Sequence, residues 1–122
     1  MKEAQTENRG EIIIYHAADN TVQLDVRMEQ ETVWLTQQQM AELFQKDQSV
    51  IARHISNIFK EGELEKSNMQ ILHNTQFKYR PTAVYNLDVI IPVGYRVKSK
   101  RGIEFRRWAN RGIVWSKESR DF

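Results

Sequence analysis

The side chains best placed to do chemistry in this sequence are amides, hydroxyls and guanidinium groups rather than nucleophiles or metal ligands. Gln48, Ser49, Ala52 and Arg53 lie at spacings that share one side of a helix. A glutamine amide can bond an adenine edge, and an arginine can take guanine O6 and N7. A second group is cationic. Residues 96–111 carry seven bases (Arg96, Lys98, Lys100, Arg101, Arg106, Arg107 and Arg111) against the single acid Glu104. Clustered cations release condensed counterions from a polyanion, so this segment suits phosphates. It also suits a solvated basic surface or a basic helix completing a subunit contact.

Other chemistries find no support. Cysteine is absent, so no disulfide framework, thiolate nucleophile or zinc-finger spacing can be written. His16, His54 and His73 are scattered, and His54 sits between Ile51 and Ile55, where a packing role is the simpler one. Five dispersed glycines make no phosphate loop, and no nucleophile sits in a strained turn beside a base. Glu61, Glu63 and Glu65 read as a solvated loop. These features predict a chain that is not an enzyme and takes no cofactor, metal or small-molecule substrate. No apolar run of about 18 residues is present, and the polar first residues lack a signal-peptide pattern, so a cytoplasmic location is expected.

A chain of 122 residues fits one domain. Its first 35 residues hold 3 bases and 7 acids, the reverse of the carboxy-terminal charge. A polar stretch, residues 1–10, is expected to be disordered. Glu11-Ile12-Ile13-Ile14-Tyr15 is β-branched and apolar, the pattern of a strand buried on both faces. Val22, Leu24, Val26 and Met28 alternate with polar residues, which predicts a strand with one face on the core. With Thr32-Val33-Trp34-Leu35 these make an antiparallel β-meander. The period then becomes helical. Thr36 can cap a helix over Gln37 to Phe44. A second helix runs from Ser49 to about Glu61, with Ile51, Ile55, Ile58 and Phe59 at helical spacing and Gly62 at its end. Short strands are suggested at Met69–Leu72 and Thr82–Tyr85, with Tyr79-Arg80 extended before Pro81. Asp88 can cap a helix from 88 to 97, with Pro92 in its first turn or just beyond. A basic loop at Lys98 to Gly102 leads to a helix from about Ile103 to Asn110, with Phe105 and Trp108 on its apolar side. The fold class is therefore α+β.

The segment from Ala41 to Ile55 resembles the helix-turn-helix of bacterial and phage repressors. A small residue, Ala41, lets the second helix cross closely, and Ile51 and Ile55 pin it. On that geometry Gln48, Ser49, Ala52 and Arg53 face the major groove, Asn57 is placed for phosphate, and Thr36 and Gln37 start a helix whose amides favour phosphate. Gln45 holds the turn position that favours glycine, which implies either a distorted turn or a left-handed Gln45 at a cost of about 1 kcal/mol. An ordinary packed helix pair is the alternative.

The stretch from Tyr85 to Gly102, the following Phe105-Arg106-Arg107-Trp108-Ala109 and the earlier Thr32-Val33-Trp34-Leu35-Thr36-Gln37 resemble the RhuM virulence-protein family over about residues 11 to 110. Family members come from bacterial pathogenicity islands and mobile elements. Their amino-terminal region is similar to the Bro-N domain of phage antirepressors. The resemblance implies an α+β DNA-binding module with Gln48, Ser49 and Arg53 as base readers. Pro92 departs from the family, which has a small polar residue there more often. The tail 111–122 also departs, so the chain reads as truncated. The expectation is a regulator that binds double-stranded DNA as a homodimer, with Thr36, Gln37, Asn57, Arg96, Lys98, Lys100, Arg101, Arg106 and Arg107 on phosphates. Trp115 and Phe122 are candidates for the dimer contact. The rival expectations are a protein-interaction module and a fragment of a virulence effector.

Overall fold

A computed structural model describes residues 11–62, 65–72 and 81–120. The expected disordered tail at 1–10, the extended Tyr79-Arg80, and the dimer candidate Phe122 lie outside the described residues, as does the side chain of Trp115.

The alternating segment and its neighbours form the expected meander. Strands β1 (Glu11–His16), β2 (Gln23–Glu29) and β3 (Thr32–Thr36) pair antiparallel, with Tyr15 opposite Leu24 and Met28 opposite Val33. Gln30 and Glu31 both have positive φ, 58° and 62°, which is the backbone sign pattern of a two-residue hairpin turn. Between β1 and β2, Asp19 accepts hydrogen bonds from the amide and hydroxyl of Thr21. That contact holds the Asp19 carboxyl below the usual carboxylate range.

The sheet does not stop at three strands. Strands β4 (Met69–Leu72) and β5 (Thr82–Asn86) join it in the order β1-β2-β3-β5-β4, every pairing antiparallel. Leu35 lies opposite Tyr85, and Gln70 opposite Val84. Helices α1 (Gln37–Phe44) and α2 (Gln48–Lys60) therefore leave the sheet at the end of β3, and the chain returns to pair beside that same strand.

The four helices cover one face. Leu24, Val26, Met28, Val33, Leu35 and Tyr85 point into a core shared with Met40, Leu43, Ile51, Ile58, Val89, Ile90, Val93 and Phe105. The reading of β1 as a strand buried on both faces is corrected: Ile12 and Ile14 are 57% and 50% exposed. β1 is an edge strand, and among the described residues it meets the core through Tyr15 and Ile13. The ring of Tyr15 meets Phe105 edge-on at 5.1 Å and Trp108 at 5.0 Å, so β1 is tied to the last helix. Of the two aromatics expected on one side of that helix, Phe105 is fully buried in the core and Trp108 is half-buried against it.

Helix α3 (Leu87–Arg96) begins earlier than its Asp88 cap predicts. Asn86 is the cap, and its side chain accepts the Asp88 amide. Pro92 is the sixth residue of α3, beyond the first turn, and the helix continues through it. The lost backbone bond is offset by burial of Val89, Ile90 and Val93. Helix α4 (Arg101–Arg120) has 20 residues, well over twice the length expected, because it starts at Arg101 and residues 111–120 continue it. No helix is long and apolar enough to cross a membrane among the described residues.

Candidate nucleic-acid interface

Thr36 starts α1 as the sequence predicts. Its hydroxyl accepts the Gln39 amide, and the Gln39 side chain accepts the Thr36 amide. The amide of Thr36 is therefore committed within the protein, and its hydroxyl is used as an acceptor. The expected phosphate contact at this end falls to the Gln37 amide and its neighbour, which have no acceptor within the helix.

Between α1 and α2 the chain turns in three residues. Gln45 closes α1 in the left-handed region, φ 56° and ψ 49°. Of the two geometries left open by the sequence, this is the left-handed one. The Lys46 amide donates to the Ala41 carbonyl at 3.0 Å and closes the last turn. Asp47 then caps α2: its carboxylate accepts the amide and the hydroxyl of Ser49. These bonds hold the Asp47 carboxyl below the usual range. The cap was missed at the sequence level, although an aspartate just before an apolar-periodic helix is its ordinary signal.

Helix α2 has two different sides. Ile51 and Ile58 are fully buried and Ile55 nearly so. On the other side Gln48, Ser49 and Arg53 are exposed, and Ala52 is half-buried. Ser56 and Lys60 continue that exposed stripe and were not singled out. Their spacing of three to four residues from Ala52, Arg53 and Ser56 is the signal that finds them. The Ser49 hydroxyl proton is engaged by Asp47, so Ser49 can offer an outside group only an acceptor. Arg53 has no ion pair among the described residues. Asn57 is half-buried. His54 is also half-buried, with no hydrogen-bond partner for Nδ1 among the described residues, and burial with the nearby Arg53 and Arg96 cations lowers its pKa.

The basic segment is divided among several places. Arg96, at the end of α3, pairs with Glu61 at the end of α2. It is thereby joined to the candidate reading helix. Arg101 pairs with Asp19 at 3.0 Å, linking α4 to the first hairpin. Lys98, Lys100 and Arg106 line a groove of about 360 Å³ between α3 and α4. Arg107 and Arg111 lie beside Glu104 on a neighbouring hollow. Among the described residues no cluster of His, Asp and Glu is arranged to hold a metal ion.

No curated protein and no solved structure matches this chain. One family model does, over residues 62–115, the part running from the end of α2 through β4, β5 and α3 into α4. The meander and the α1–α2 pair lie outside the match, which is narrower than the resemblance read from the motifs. That model is described as the Virulence protein RhuM family, and it covers both the Tyr85–Gly102 stretch and the Phe105-Arg106-Arg107-Trp108-Ala109 motif.

Proposed function

We propose that this chain binds duplex DNA through α2, as the reading module of a RhuM-like transcriptional regulator. The observation that carries this is the two-sided character of α2. Its apolar side is locked into the core by Ile51, Ile55 and Ile58, while Gln48, Arg53, Ser56 and Lys60 project outward together. A rigid helix presenting amide and guanidinium groups behind a three-residue turn is the arrangement that enters a major groove.

In this reading Arg53 takes guanine O6 and N7, and Gln48 bonds an adenine edge. Lys60, with Lys46 in the turn, contacts the flanking phosphates. One short helix offers few base contacts, so two copies reading two half-sites is the expected assembly.

One observation favours a protein-interaction module instead. Asp47 stands exposed at the leading end of α2, where a phosphate would also lie. Hydrogen bonds from Ser49 stabilise its ionised form and leave its negative charge in place. Selection from a random duplex pool, followed by a salt titration on the enriched sequence, decides between them. DNA reading gives an enriched motif and an affinity that falls steeply with salt. No enrichment, with folded protein at low salt, leaves the interaction module.

A further inference from the structure

The groove between α3 and α4 is built differently from the surface around it. Its lining combines the apolar Ile91, Tyr95 and Ile103 with the cations Lys98, Lys100 and Arg106. Tyr95 is 79% exposed and Ile103 50%. No acidic residue lines it. The flanking cations Arg96 and Arg101 are satisfied by Glu61 and Asp19, whereas among the described residues Lys98, Lys100 and Arg106 have no ion pair.

The backbone adds a second observation. Lys98 sits in the left-handed region, φ 57°, where the Lys98 and Ser99 amides close the end of α3 onto Tyr95 and Gly94. Glycine is the unstrained residue at such a position. This turn places Lys98 at the edge of the groove, directly after the helix that supplies Ile91 and Tyr95.

From these features we propose that the groove docks an acidic peptide segment of a partner protein, one that carries an aromatic or large aliphatic side chain. The apolar side chain packs against Ile91, Tyr95 and Ile103, and flanking carboxylates meet Lys98, Lys100 and Arg106. A duplex fits the site less well. It offers phosphates to the cations but, without unstacking, nothing apolar to Ile91, Tyr95 and Ile103. The inference is independent of the reading role of α2.

The test uses the whole chain against an immobilised random peptide library, with duplex DNA as a parallel probe. Bound peptides are expected to be enriched in Asp and Glu around a single aromatic or aliphatic residue. Ile103→Ser and Arg106→Glu should each weaken the enriched peptide about tenfold or more. Both residues are exposed or half-exposed, and a circular dichroism spectrum confirms folding of each variant. Arg53→Ala should leave peptide binding unchanged. Absence of acidic enrichment, or peptide binding undiminished by both groove variants, overturns the proposal. Loss of duplex binding with Ile103→Ser, without loss of peptide binding, also overturns it and assigns the groove to nucleic acid.

Discussion

The ring of Phe44 lies so close on Gly94 that a Cβ at position 94 would stand 3.1 Å from its Cε1 and Cζ atoms. Gly102 flanks the same ring, with a Cβ there 3.5 Å from Cε1. The last residue of α1 is thus clasped between the end of α3 and the start of α4. Because Gln45 follows Phe44 directly, this contact also fixes where the α1–α2 turn sits.

A branched side chain at position 94 has to displace the ring. Gly94→Val should therefore destabilise the chain by about 1–3 kcal/mol, the usual cost of overpacking a close contact. Gly102→Ala makes only ordinary contact and should be near neutral. Urea unfolding of the two variants checks the contrast. Equal stabilities would mean that Phe44 moves freely and does not hold the turn.

The left-handed Gln45 makes a prediction of the opposite sign. A non-glycine residue in that region is strained by roughly 1–2 kcal/mol, partly returned because glycine has more freedom in the unfolded chain. Gln45→Gly should stabilise by about 0.5–1 kcal/mol, with an unchanged m-value in urea. A loss of stability would show that the Gln45 side chain makes a compensating contact. The cap at the other end of α1 is worth a similar amount, so Thr36→Ala should cost about 1 kcal/mol.

Where the signal was local, the elements were legible. The alternation around Val26 marked β2, Thr36 marked the start of α1, and the spacing of Ile51, Ile55 and Ile58 gave the buried side of α2. The spacing of Phe105 and Trp108 also marked the side of α4 that faces the core, with Phe105 inside it and Trp108 half-buried against it. What failed depended on distant parts of the chain. Ile12 and Ile14 are apolar enough for a central strand, yet nothing near them in sequence says that β1 is an edge. The pairing of β5 beside β3 skips α1, α2 and β4, and local patterns carry no record of it. Of the candidate site, exposure of Gln48 and Arg53 followed from helical phase. The ion pairs of Arg96 with Glu61 and Arg101 with Asp19 did not, because each joins residues remote in sequence.

Tyr15 links stability to alkaline pH. Burial, then the Glu104 carboxylate, pushes its phenol from 10.0 to about 12. The folded state thus favours the protonated phenol. Its contribution is fully present below pH 10, where the unfolded phenol is also protonated, and is lost as pH rises through about 12. Melting temperature should fall across that window, and Tyr15→Phe should flatten the fall. An identical alkaline profile in Tyr15→Phe would place the sensitive group elsewhere. Tyr85, raised by burial, is the next residue to examine.

Arg53 and Lys60 share the exposed stripe of α2 but should fail differently on DNA. Arg53 lies in the first half of α2, whose amino-terminal part is the one a recognition helix sets against base edges, and Lys60 is its last residue. Arg53→Ala should cost about 1–3 kcal/mol on the selected duplex, concentrated at one base pair, and relax specificity there. Lys60→Ala should weaken selected and mixed duplexes alike and reduce the slope of log affinity against log salt by about one. The two substitutions expose no core atoms, so stability should change little. Identical losses on all sequences would make Arg53 a phosphate contact, and α2 would then hold DNA without reading it. If neither substitution changes the affinity of a duplex that the chain does bind, α2 is not the reading helix.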